Sequence, residues 1–110
     1  MKLYGLKNCD SCKKALKALQ STGQSVEFID LRELPVAAKQ LKKWLDEHGD
    51  AVLVNRKSKT WRGLDEQARQ QPALALLGVN PTLIKRPVIE SGDNSFVGWT
   101  AEVQAALGLA

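Results

Sequence analysis

The sequence predicts an α/β fold: a four-stranded mixed sheet with helices packed on it, interrupted by a helical insertion. Three observations carry this. A β-α-β pattern opens the chain, a β-β-α pattern closes it, and residues 35–78 between them repeat their apolar positions with helical spacing. The chain has 110 residues, of which 44% are hydrophobic and 25% charged, which suits one domain with its own core and excludes a disordered or fibrous chain. The core is expected from about 1–34 and 79–110, with the insertion at about 35–78.

Residues 2–5 read as a short buried strand. A helix then starts near Asn8, whose side-chain oxygen can accept from a free N–H of the first turn. Cys12, Ala15, Leu16 and Leu19 share one helical face, Lys13, Lys14, Lys17 and Gln20 lie elsewhere, and Gly23 is a fitting stop. Residues 26–30 alternate as a strand, which the intervening helix makes parallel to the first. Residues 35–48 read as helical, with Pro35 near the first turn, Ala38, Leu41, Trp44 and Leu45 apolar, and Gly49 at the end. Residues 50–62 are irregular and basic. Short helices are expected at 64–70 and at 72–77, the second stopped by Gly78. Strands at 87–90 and 95–99 flank Ser91-Gly92-Asp93-Asn94, a hairpin signal. Thr100 can cap a last helix in which Ala101, Val103, Ala106 and Leu107 are apolar and which ends at Gly108.

Sixteen Lys and Arg against twelve Asp and Glu leave a net charge of +4. The basic residues are scattered rather than gathered in a stripe, which argues for solvated helix faces and against a nucleic-acid partner. Positive charge near a site would still favour small anionic substrates. No apolar run approaches the ~20 residues that cross a bilayer, and the opening five residues go straight into a strand-like segment. A cytoplasmic monomer is expected.

The two cysteines, Cys9 and Cys12, are too few for zinc, whose sites take four ligands, and His48 is the single histidine. A structural disulfide across two intervening residues would close too small a loop to constrain the unfolded chain. A Cys-x-x-Cys that opens a helix directly after a strand is instead a thioredoxin-like redox pair. Cys9 should face the helix N-terminus, where unsatisfied N–H groups and the dipole favour a thiolate. Lys13 adds positive potential and Asp10 opposes it. Cys12 continues the apolar face, as a resolving thiol or a small buried hydrophobe would.

The runs Leu3-Tyr4-Gly5, Asn8-Cys9-Asp10-Ser11, Lys13-Lys14-Ala15, Leu53-Val54-Asn55-Arg56, Thr60-Trp61-Arg62 and Ile84-Lys85-Arg86-Pro87-Val88 resemble the ArsC superfamily along essentially the whole chain. The resemblance is greatest to its YffB-like branch, related to arsenate reductases and to Spx transcription regulators. It implies a thioredoxin-like fold with a helical insertion and a catalytic Cys9; the residues themselves offer Cys12 as its partner, with Asn8 and Lys13 in support. It further implies that Arg56 and Arg86 bind an oxyanion or a glutathione-bound thiol, beside a Pro87 that is usually cis. Guanidinium groups suit this, since they grip tetrahedral oxyanions in bidentate fashion.

Two departures bear on function. Arsenate reductases carry a third arginine on or just after the last strand, where this chain reads Ser95-Phe96-Val97-Gly98-Trp99. Many YffB-like members lack a cysteine at the position of Cys12, whereas Spx regulators have one. The expected function is a thiol-dependent oxidoreductase that uses glutathione, with glutaredoxin as a possible partner and no tightly bound cofactor or metal. The alternatives are a redox-sensing regulator that binds RNA polymerase and, third, an arsenate reductase proper. For Arg56 a solvated basic loop, and for Arg86 an aliphatic stem laid over apolar surface, are the purely structural alternatives.

Overall fold

The computed structural model describes residues 1–109. Two compact units make up the chain: Met1–Glu33 with the chain from Arg86 onward, and Leu34–Lys85.

The first unit holds the sheet. Its strands, β1 (Lys2–Gly5), β2 (Glu27–Asp30), β3 (Val88–Ser91) and β4 (Asn94–Val97), lie in the order β2-β1-β3-β4. β2 runs parallel to β1, with Leu3 opposite Phe28. β3 is antiparallel to both β1 and β4, with Leu3 opposite Ile89 and Ile89 opposite Phe96. This is the thioredoxin-like arrangement. The register puts Gly92 and Asp93 alone in the β3–β4 turn, and Gly92 has φ 62°, the left-handed conformation that a two-residue hairpin asks of its first position.

Helix α1 (Asp10–Ser21) crosses between β1 and β2 and buries Cys12, Ala15 and Leu19. With Leu3 and Ile89 these form the core of the unit, and Met1, Leu16, Val26, Phe28, Phe96, Trp99 and Leu107 pack around them. Gly5 is the point of closest approach. A methyl group there would collide with Sγ of Cys12, so α1 can settle at this depth only over a residue without a side chain. Thr100 Oγ1 accepts the N–H of Val103 at 3.1 Å and so caps the last helix of the unit, Ala101–Ala106.

The second unit contains α2 (Ala38–His48), α3 (Asp50–Leu53), α4 (Lys59–Gly63), α5 (Glu66–Arg69), α6 (Ala73–Val79) and a 3-10 turn at Pro81–Leu83. With α7 (Ala101–Ala106) in the first unit, these complete the helices among the described residues. α2 packs chiefly against α6 and α3, burying Leu41, Trp44, Leu53, Leu76 and Leu77.

Several boundaries differ from the sequence expectations. Pro35 precedes α2 instead of opening it; Ala37 is the capping residue, with extended backbone at ψ 145°. Residues 50–62 are irregular only at 54–58: α3 follows directly on Gly49, whose φ of 82° lets the chain end one helix and begin another, and α4 begins at Lys59. Gly78 lies within α6, which Asn80 ends by donating its backbone and side-chain N–H groups to Leu76 O at 2.8 and 3.2 Å. The helical unit also extends past residue 78 to Lys85, because a second segment pairs with the chain after α3. Val54 bridges Ile84, Asn55 N–H donates to Leu83 O at 2.8 Å, and Lys85 N–H donates to Leu53 O at 2.8 Å.

Gly5→Ala should lower stability by about 1–3 kcal/mol, the usual cost of overpacking a well-filled core. In a thermal-melt double-mutant cycle, Cys12→Ala should recover part of that loss by removing the sulfur the methyl group strikes. Additive losses would show that the two positions are not in contact.

Candidate active site

The turn between β1 and α1 delivers Cys9 to the helix N-terminus. Cys9 N–H donates to Leu6 O at 3.2 Å across an exposed turn of Lys7 and Asn8, and Cys9 O accepts the N–H of Lys13 at 3.0 Å. Cys9 itself is therefore the N-cap, with φ −90° and ψ 119°. Asn8 was expected in that position; the turn closing on Leu6 O moves it one residue out of reach. The correction matters chemically. At the N-cap, a side chain faces the N–H groups of the second and third helical residues, Ser11 and Cys12.

Burial works against ionisation of Cys9. It is outweighed by the Cys12 N–H, the Cys12 thiol, the positive charge of Arg86 and the Ser11 N–H, which together hold the Cys9 thiol below the ordinary thiol range. No full capping hydrogen bond closes on the sulfur, so these groups act as a field and leave it partly exposed. Cys12 is the opposite case. It is 0% exposed in the core, and burial pushes its thiol up to about 12; the Leu6 N–H and Arg86 pull it down, while Cys9 adds to the rise. Both cysteines are free thiols. Two thiols one helical turn apart thus have separate roles: one ready to ionise, the other holding its proton.

Arg86 is half-buried in the same unit and is the side-chain cation that acts on both sulfurs. The Arg86–Pro87 peptide bond is cis, and Pro87 is fully buried, its carbonyl accepting the N–H of Gly98 at 2.8 Å. Lys13 is exposed and does not rank among the principal groups that lower Cys9. With Leu6, Lys7, Leu16 and Phe28 it lines a groove of about 230 Å³ against Cys12. Arg56 belongs to the helical unit, where its guanidinium lies 5.4 Å from the centroid of the Trp61 ring.

One contributor escaped the sequence reading. Asp30, at the end of β2 and 8% exposed, accepts the N–H of Arg32 at 2.8 Å on one carboxylate oxygen and that of Lys7 at 3.4 Å on the other. It therefore ties the turn before Cys9 to the end of the neighbouring strand. The Arg32 N–H, opposed by burial and helped by the Lys7 and Glu33 N–H groups and the Lys7 charge, holds the carboxyl below its ordinary range. A carboxylate at a strand end followed by Leu31-Arg32-Glu33 is the signal that marks such a turn.

Residues 4–107 match the ArsC family. The chain belongs to the ArsC family. A protein of Haemophilus influenzae is 41% identical over 109 residues, covering 94% of this chain and 96% of its own. The solved structure of a YffB protein is 35% identical and superposes with a TM-score of 0.89, covering 99% of this chain and 98% of the other. An ArsC-related protein of Brucella melitensis is 32% identical with a TM-score of 0.74, covering 96% of this chain and 92% of its own. These likenesses place this ArsC chain in the YffB-like branch.

The dependence of alkylation rate on pH should give Cys9 an inflection below that of free cysteine, while Cys12 stays unreactive. Cys12→Ala and Arg86→Gln each remove a group that favours the thiolate, so each should move the inflection up. No movement in either variant would refute this electrostatic assignment. Because the Asp30 carboxyl is held low, its contribution to stability is present above the ordinary carboxylate range and lost as pH falls through the depressed value. Asp30→Asn should flatten that acid-side loss in melts recorded between about pH 2 and 6; an unchanged acid limb would remove Asp30 from the account.

Proposed function

We propose that this chain is a thiol-dependent oxidoreductase whose nucleophile is the Cys9 thiolate and whose electrons come from glutathione. The observation that carries this reading is the division of the thiols: Cys9 is lowered at the N-terminus of α1 beside Arg86, while Cys12 is raised in the core. Membership in a family that includes arsenate-reductase-like proteins supports the same chemistry.

The steps balance as thiol–disulfide exchange. The Cys9 thiolate attacks one sulfur of a disulfide, the S–S bond breaks, and the other sulfur leaves as a thiolate that takes up a proton. Glutathione thiolate, or Cys12 after losing its proton, then attacks Cys9 Sγ of the mixed disulfide and releases the remaining substrate sulfur as a thiolate; further glutathione thiolate breaks the disulfide left on Cys9 and restores its thiolate. Two glutathione molecules supply the two electrons and leave as their disulfide. The high pKa of Cys12 makes it a slow attacker at neutral pH, which favours resolution by glutathione. Arg86 contributes positive charge at Cys9, and Arg56 is the second anion-binding arginine that family resemblance assigns. A reducing cytoplasm would keep both thiols free.

Arsenate is a poorer substrate on this account. β4 and the turn after it, residues 94–99, carry no arginine. A charged hydrogen bond contributes ~1.5–3 kcal/mol, so a site short of one should be slower by roughly 10- to 150-fold.

Reduced protein assayed on glutathione disulfide, and separately on arsenate with glutathione and glutaredoxin supplied, tests the proposal. Exchange with the disulfide, abolished by Cys9→Ser and retained by Cys12→Ala, is the expected result, with arsenate turnover weak. Efficient arsenate turnover would move the chain to the reductase branch. No exchange, together with binding of RNA polymerase only after oxidation, would favour the redox-sensing regulator.

A further inference from the structure

We propose that Asp30 is a positioning residue for Cys9: its carboxylate orients the Leu6–Lys7 peptide group so that the Leu6 carbonyl holds the Cys9 N–H, and with it the N-cap of α1. The proposal rests on the nucleophilic role given to Cys9 above and lies wholly within the sheet unit.

A trans peptide group is planar, with its C=O and N–H pointing opposite ways, so fixing one end aims the other. The Leu6–Lys7 peptide is held at both ends. Its N–H, that of Lys7, donates to Asp30 Oδ2 at 3.4 Å, and its oxygen, Leu6 O, accepts the Cys9 N–H at 3.2 Å. The peptide before it is used in the same way: Gly5 O accepts the Leu31 N–H at 2.9 Å, while the Leu6 N–H at its other end faces the Cys12 sulfur. Two consecutive peptides thus lead from residues 30–31 to the two cysteines, and they differ in what grips them. The Gly5–Leu6 peptide is held by a backbone N–H, which any residue but proline supplies at position 31. The Leu6–Lys7 peptide is held by a side chain, and so depends on which residue stands at position 30.

Asp30 is set for this before the turn arrives. Its Oδ1 accepts the Arg32 N–H at 2.8 Å and its backbone oxygen accepts the Glu33 N–H at 3.1 Å, which fixes the carboxylate with Oδ2 toward Lys7. Asp30 and Leu6 are both buried, which limits the water that could replace either partner. The charge then gives the peptide its sense, because a carboxylate attracts an N–H and repels a carbonyl oxygen. A flipped peptide would turn Leu6 O toward Asp30 and release the Cys9 N–H. On the outside, the Lys7 ammonium meets Glu33 Oε1 at 2.8 Å, but both side chains are exposed and such a pair contributes little. Cys9 is the last residue before the helix; with its N–H released, its backbone can turn and carry the sulfur away from the Ser11 and Cys12 N–H groups.

Asp30→Asn tests this at nearly constant size. The amide oxygen can still accept the Arg32 N–H, but an NH2 then meets the Lys7 N–H, donor against donor, and the flipped peptide, whose Leu6 O that NH2 can satisfy, is favoured. The alkylation inflection of Cys9 should move up, its rate with iodoacetamide at pH 7 should fall about two- to fivefold, and hydrogen exchange at the Cys9 amide should quicken. The sign separates positioning from other roles. Loss of a nearby negative charge alone would move the inflection down, and a purely structural role would lower the melting temperature and leave the inflection where it is. Glu33→Gln removes a negative charge from the same turn without touching the peptide, so its inflection should stay or fall. If Asp30→Asn does not fold, the wild type decides: one peptide flip opens both the Lys7 and the Cys9 amides, which should therefore exchange with matching protection. An inflection unmoved or lowered in Asp30→Asn, an equal rise in Glu33→Gln, or a wild-type Cys9 amide that stays protected while that of Lys7 exchanges freely would overturn the proposal. Iodoacetamide reads Cys9 without glutathione, so a failure of glutathione exchange would end the oxidoreductase reading and leave this one standing.

Discussion

Everything at the candidate site depends on how deeply α1 sits against β1. Cys12 packs where only a glycine backbone can receive it, over Gly5, and that contact sets the height at which the first turn of α1 begins. The helix N-terminus then meets Cys9 with its unsatisfied N–H groups. A single packing decision, in the core and away from solvent, fixes both thiol environments at once. Moving α1 outward by one side chain's width would expose Cys12 and remove the burial that holds its thiol up.

The electrostatic consequence follows from position alone. Both thiols feel Arg86, and both pay for burial, but only Cys9 gains the helix N-terminal field. Cys12, three residues on, points into the core that Leu3, Ala15, Leu19 and Ile89 complete. The resolving thiol proposed for it is therefore also a structural residue. The same packing that makes it a good core member makes it a slow nucleophile, and a substrate thiol such as glutathione fits the second step better.

Much of this was legible in the sequence. The face made by Cys12, Ala15 and Leu19, the hairpin around Ser91-Gly92-Asp93-Asn94 and the cap at Thr100 are all local signals, and the structure has each of them, with the turn narrowed to Gly92 and Asp93. What sequence alone did not reveal arises from contacts between distant segments. Cys9, not Asn8, caps α1 because Leu6 O closes the preceding turn. The helical unit runs to Lys85 because residues 83–85 pair with residues 53–55, a bridge that no periodicity announces. Asp30 looked like the last residue of a strand; its role in the Cys9 turn depends on a partner 23 positions away. The stacking of Arg56 and Arg69 on Trp61 is likewise invisible until α4 and α5 are folded.

The central claim is that one helix turn holds two thiols of opposite character. Titration of ¹³Cβ-labelled cysteine in the reduced protein, followed by NMR, measures this directly. The Cys9 resonance should titrate below the free-thiol range and the Cys12 resonance should stay unmoved until close to pH 12. Two resonances titrating together near the value of free cysteine would contradict it.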